Sequence, residues 1–287
     1  MVSLLSVVIN ALVLSAIFAL VALGLTLIFS VAGVFNLAHG VNVTLGAFTA
    51  WYVATVLGLS IWIAAILSIL VPAVFSVVLY KGMVQAIENR PMTVMTVTLL
   101  IELISEYLIR ELIGLQSRSV PALFPGVVRF GGATLTVNRI IAFFTAWALV
   151  AVLFVVFDRT KQGKAVIATS MSERGSALVG IDKSRVQLYT WFAAGALAGI
   201  AGLFFGSIRT ASWDMGLNSL VIAFPIVVLG GMGSIRGTLI AANIFGFLNV
   251  FILSYWEPTL ARTVPIIALI LILLVRPEGL LGREVAA

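Results

Sequence analysis

The sequence predicts an all-α, polytopic membrane protein of about eight to nine transmembrane helices, some of them broken or re-entrant at glycine-rich stretches. Three observations carry this. Of 287 residues, 62% are hydrophobic and 10% charged, with a mean hydropathy of +1.20, whereas a soluble domain carries about 25% charged residues. Residues 1–80 contain no Asp, Glu, Lys or Arg, which leaves room for three spans at about 20 residues each. Two stretches, residues 24–50 (GLTLIFSVAGVFNLAHGVNVTLGAFTA) and 229–237 (LGGMGSIRG), interrupt apolar runs with glycine and polar residues.

Taken in order, apolar runs fall near residues 4–30, 41–57, 61–80, 92–113, 138–157, 188–208, 217–230, 238–255 and 262–275. The first has no basic residues before it and exceeds the length of a signal-peptide core, so it reads as a retained span. Asn36, His39, Gly40 and Asn42 interrupt the next stretch. Polar, glycine-bearing backbone at membrane depth is tolerated only where it faces protein or a water-filled path. The pattern therefore predicts a helix break over residues 33–42 lining a route through the membrane. Gly230, Gly231, Gly233 and Ser234 form its counterpart late in the chain, and paired interrupted segments point toward a transport site. His39 reads either as a partner for backbone groups freed by the break or as a proton shuttle.

In the run 92–113, Glu102, Glu106 and Arg110 stand four apart on one helical stripe. Intramembrane charges face the bundle interior and pair, so Glu106 with Arg110 is the expected ion pair. Glu102 has no obvious local partner. The alternative for this stripe is a substrate or proton site. Between the runs, Pro121, Pro125 and Gly126 set turns, and VVRF and ATLTV around Gly131 and Gly132 predict a small hairpin. That hairpin reads equally as a closing loop or as a docking surface.

The longest polar connection, residues 158–187, carries Arg159, Lys161, Lys164, Arg174, Lys183 and Arg185. Loops rich in Lys and Arg stay on the cytoplasmic side. Alternation then puts residues 81–91 inside, 115–137 outside, and Arg276 and Arg283 of the C-terminus inside. Ser170 and Glu173 have capping-box spacing and Gly180 is a helix stop, which together predict a helix of roughly nine residues, about 13 Å long. It would rest on lipid headgroups or dock a partner. Beyond it, Gly195, Gly199, Gly202 and Gly206 share one helix, a spacing that lets membrane helices approach closely.

Composition also excludes. With no cysteine and one histidine, disulfides, thiolate chemistry and a histidine-rich metal site are out. The net charge of +6 is scattered through short connections, which argues against nucleic-acid binding. No GxxxxGK[ST] loop is present, so a nucleotide driving transport would be hydrolysed by another chain.

These residues resemble the permease subunits of branched-chain amino acid ABC importers. The likeness rests on NLAHG at residues 36–40 with LGA at 45–47, RSVP at 118–121, the segment 164–183, AGALAGIAG at 194–202, VLGGMGSIRG at 228–237 and RPEGLLG at 276–282. It covers nearly the whole chain. The resemblance implies a single transmembrane domain over residues 1–287 with an ABC-importer permease bundle. It also implies a second related permease subunit, an extracytoplasmic binding protein and two ATPase subunits that use ATP, with no cofactor bound by this chain. Residues 171–180 then look like the coupling helix, with Glu173, Arg174, Ala177, Leu178, Gly180 and Ile181 as the coupling set. Two positions depart from the family pattern: Arg236 stands where proline is usual, and Glu106 where relatives carry uncharged polar residues. Carriage of urea or short amides, or a self-sufficient ion-coupled transporter or channel using Glu102, His39 or Glu106, are the competing readings.

Overall fold

The computed structural model describes residues 4–130, 133–256, 263, 267–271, 274 and 279–281. The chain opens with α1 (Leu4–Ala32), then α2 (His39–Trp51), which continues through a π-helical turn at Tyr52–Val56. Next come α3 (Ile61–Leu79), a second π turn at Tyr80–Val84, the short α4 (Gln85–Ile87) and α5 (Pro91–Ile113). A hairpin of β1 (Val127–Phe130) and β2 (Ala133–Thr136) leads into α6 (Val137–Arg159), followed by α7 (Lys161–Met171) and α8 (Glu173–Leu178). The fold closes with α9 (Lys183–Ile208), α10 (Met215–Gly230) and α11 (Ile235–Tyr255). Among the described residues, six helices are long and apolar enough to cross a membrane, and α10 is a shorter apolar helix. Eight of the nine expected runs are thus helical; the ninth, residues 262–275, lies largely outside the described residues, as do Gly131, Gly132, Arg276 and Arg283.

The sequence of α1 is apolar all round, the mark of a helix surrounded by protein, and it runs through the centre of the bundle against α6, α9, α10 and α11. The outer helices show the complement. On α5, Leu99, Leu100, Leu103, Ile104, Leu108 and Leu112 all point outward, which in lipid is the expected solvent-facing surface. The glycines of α9 do what their spacing predicts. A Cβ at Gly199 would strike the Ser68 carbonyl and one at Gly202 the Val43 carbonyl, so α3 and α2 both lie against α9 at backbone distance. Pro72 inside α3 removes the amide that would bond that Ser68 carbonyl, and the freed oxygen faces Gly199.

The two ends of the bundle differ. At one, Arg139 of α6 donates to Asn10 of α1 at 2.8 Å, near the C-terminus of α9 and the hairpin, in which Val127 pairs with Thr136. Arg118 is tied in here: its backbone bridges Ala211, and its guanidinium sits 5.2 Å from the Trp51 ring centre. At the other end lie α7, α8 and the start of α9. The expected capping box is shifted. Ser170 Oγ donates to the Ile167 carbonyl within α7, while Ser172 caps α8 by accepting from the Gly175 amide at 3.0 Å. The reason is that residues 161–171 form their own helix, so the break falls at Ser172 and leaves α8 only six residues. Gly180 ends it at φ +82°, as expected.

Candidate functional site

The helix break is real but shorter than the sequence suggests. α1 stops at Ala32; Gly33 takes φ +66° and donates to the Phe29 carbonyl at 2.9 Å, a left-handed helix end that glycine adopts at no steric cost. Residues 33–38 then run back along α1, and α2 begins at His39. The depth is fixed by the imidazole: His39 Nε2 lies 3.0 Å from the carbonyl of Val21, well inside α1. A carbonyl only accepts, so Nε2 carries the proton. Gly24 makes room for the ring, since a Cβ there would come within 2.8 Å of its Cε1. Thus the N-terminus of α2 is buried inside the bundle, level with Val21 of α1.

A buried helix start leaves orphan amides, and here three side chains meet them. Asn36 Oδ1 accepts from the Ala38 amide at 3.1 Å. Thr98 on α5 accepts from the Leu37 amide at 3.1 Å. Glu102, one turn further along α5 and 1% exposed, accepts from the Val41 amide through Oε2 at 2.8 Å. This is the partner that Glu102 lacked in sequence: not a cation but the positive end of α2. Gly40 is explained by proximity, not by φ. A Cβ on it would meet the Gly216 carbonyl oxygen and, at 2.5 Å, Glu102 Oε1. Gly216, in the first turn of α10, returns the constraint, with Thr44 Oγ1 at 2.5 Å from its own hypothetical Cβ. Glu102, Gly40 and Gly216 therefore form a three-helix junction where α2, α5 and α10 touch. Asn36 Nδ2, His39 Nδ1 and both side-chain polar atoms of Asn42 are buried without hydrogen-bond partners among the described residues.

The expected Glu106–Arg110 pair is not formed. Glu106 is buried, with Oε1 unpartnered among the described residues, whereas Arg110 is exposed and its guanidinium stacks 5.5 Å from the ring centre of Trp213. The loop before α10 supplies an aromatic face that spacing along α5 alone could not reveal, and even an exposed cation gains about 0.5–1 kcal/mol from such a face. The second glycine stretch also sits differently from the first. It is the turn between α10 and α11 at the bundle end, not a break at depth. Gly231 and Gly233 take φ +94° and +83°, Ser234 caps α11 by accepting from Gly237, and Ser30 donates to the Gly233 carbonyl at 3.2 Å. Gly230 lies against Gly237 and Thr238 at backbone distance. The last carbonyls of α10, Leu229 and Gly230, accept from the amides of Leu280 and Leu281. Both glycine stretches touch α1, one at its middle and one at its end.

At the basic end, Lys183 binds Glu173 at 2.8 Å and Glu88 at 3.3 Å. Arg174 and Ala177 are exposed, and Leu178 is 89% exposed beside Val179. Ile181 donates its amide to Ser176, folding the exit of α8 back on itself.

A family model described as branched-chain amino acid transport system / permease component matches residues 7–274. The chain is similar to the high-affinity branched-chain amino acid transport system permease protein LivH of Escherichia coli (strain K12), 29% identical over 96% of this chain and 94% of that one. Its counterpart BraD of Pseudomonas aeruginosa is 26% identical over the same shares. A probable LivH of Methanocaldococcus jannaschii is 26% identical over 96% and 91%. Among solved structures, PsaBC from Streptococcus pneumoniae in complex with Fab superposes with a TM-score of 0.53 at 15% identity, covering 94% of this chain and 91% of the other, a likeness of fold.

Proposed function

This chain belongs to the branched-chain amino acid transport system / permease component family, and on that premise we propose that it carries branched-chain or related amino acids across the cytoplasmic membrane as the multi-pass permease subunit of an ABC importer. In this reading a second, related permease completes the translocation unit. An extracytoplasmic binding protein delivers substrate, and two ATPase subunits consume the ATP; this chain binds no cofactor and no nucleic acid. The basic segment 158–187 and the C-terminus face the cytoplasm, and the hairpin end faces outward, in line with the distribution of Lys and Arg.

The observation that carries the mechanism is the mid-depth start of α2. A helix end held by three hydrogen bonds to the side chains of Asn36, Thr98 and Glu102 and by two glycine contacts is closed by geometry rather than by bulk, so small shifts of α5 or α10 open it. Once open, the unpartnered polar atoms of Asn36, His39 and Asn42 would meet the route. Their roles with Gly40, and those of Gly230, Gly231, Gly233 and Ser234 at the inner turn, are to shape that route. At the basic end, Leu178 and Val179 present an uncovered apolar tip on α8, with Glu173, Arg174, Ala177, Gly180 and Ile181 around it. That tip suits an ATPase groove better than a lone surface in water. The test is purification of the complex: ATPases should copurify, hydrolyse ATP faster when leucine-loaded binding protein is added, and drive leucine uptake into vesicles. Uptake by this chain alone, dependent on an ion gradient, would overturn the reading.

A further inference from the structure

Where α9 ends, the chain does not emerge cleanly but dips back through residues 209–214 to the start of α10. That descent leaves a cavity of about 680 Å³ at the hairpin end, within the roughly 300–1,000 Å³ usual for small-molecule sites. Its lining divides by chemistry. Phe18, Phe205, Met215, Ile222 and Leu253 give one apolar surface, and Arg209 and Asp214 give one charge of each sign. Asp214 is held in place by Ser212 Oγ at 2.6 Å and Asn218 Nδ2 at 2.8 Å. Arg209 has no carboxylate partner among the described residues, and it also lines a smaller neighbouring recess together with Arg139 and Asn10. Arg139, whose only hydrogen bond among the described residues goes to neutral Asn10, adds a second positive charge beside the first. Crowding by protein and the charge of Arg139 pull the Arg209 guanidinium below its usual pKa, the condition of a cation that gains from an arriving anion. Met215 lines the cavity and precedes Gly216, which belongs to the junction with Gly40 and Glu102.

We infer that this cavity is the outward-facing receiving site for a zwitterionic amino acid. Arg209 binds its carboxylate with help from the field of Arg139, Asp214 binds its ammonium, and the Phe18, Met215, Ile222 and Leu253 surface holds an aliphatic side chain. The inference rests on the importer reading. A guanidinium presents a planar fork matched to a carboxylate; a singly charged solute satisfies only one of the two charged walls, and a neutral one neither. A ligand seated here adjoins the helix junction that must open for passage.

The chain has no cysteine, so a single Ser219→Cys on the cavity wall can report occupancy. The purified complex carrying it is treated with a small charged thiol reagent, alone or with leucine, isoamylamine (no carboxylate) or inorganic phosphate, and leucine uptake by the same preparation is measured in vesicles. Leucine should slow labelling, and isoamylamine and phosphate should not. Adding Arg209→Ala should raise the leucine needed for half-protection about tenfold or more, the worth of one charge-assisted contact, with Arg209→Lys in between. Copurification of the ATPases verifies that each variant is assembled. Uptake with no leucine protection, or protection by isoamylamine or phosphate equal to that by leucine, overturns the receiving site while leaving the importer reading intact. Absence of leucine uptake in the parent complex overturns the importer reading itself.

Discussion

Gly33 and Gly40 stand seven residues apart and do unlike work, and that difference is measurable. A Cβ at Gly33 meets nothing within 4 Å, so Gly33→Ala carries only the left-handed backbone strain, about 1–2 kcal/mol. Gly40→Ala must displace a backbone carbonyl and a buried carboxylate, an overpacking cost of about 1–3 kcal/mol placed directly on the junction. Both should lower the melting temperature in detergent; only Gly40→Ala, and more so Gly40→Val, should also stop uptake by an assembled complex. The charges of α5 give a second expectation. Because Arg110 lies on Trp213 and not on Glu106, a double-mutant cycle of Glu106→Ala with Arg110→Ala should be additive within about 0.5 kcal/mol. The cycle of Arg110→Ala with Trp213→Ala should instead show about 0.5–1 kcal/mol of coupling. The presence of buried carboxylates was legible in the sequence, because charge at membrane depth is conspicuous. The partners of this stripe were not: Val41 lies 61 residues from Glu102 and Trp213 lies 103 residues from Arg110, and one partner is a backbone amide, which no side-chain pattern advertises.

Most helices were legible because lipid enforces long apolar runs with internally satisfied backbones. What escaped was the manner of their ending. The α7–α8 boundary falls at Ser172 because Ser170 bonds back into its own helix, and either serine could have capped. For α8 the expectation concerns docking. Ala177→Trp, or an acidic residue in place of Leu178, should abolish ATPase copurification and uptake while membrane insertion stays normal. Glu173→Arg acts differently: it replaces the 2.8 Å ion pair with Lys183 by a like-charge contact. Because the pair is largely solvent-exposed, its stability cost should be small, and loss of uptake beyond that cost would place Glu173 in the docking surface. Normal transport by all three variants would place the ATPases elsewhere.

Across the whole molecule, the route can be mapped by single cysteines at positions 33–42. In the state described here only positions 33 and 37 are not buried, so only they should react with water-soluble thiol reagents at rest. Leucine-loaded binding protein with ATP should extend reactivity to 36, 39 or 42; an unchanged pattern under turnover would move the route away from α2. The overall bundle was readable from composition, but the way its ends communicate was not, since it depends on which helix touches both. That helix is α9. Over 26 residues, about 39 Å, it runs unbroken by proline from Lys183, clamped to Glu88 and Glu173, to Arg209 at the hairpin-end cavity. Midway it lies against α2 and α3 at backbone distance through Gly195, Gly199 and Gly202. A helix continuous from the Lys183 clamp to Arg209 behaves as one stiff rod, so a tilt imposed on one end must appear at the other without any link between them having to unfold.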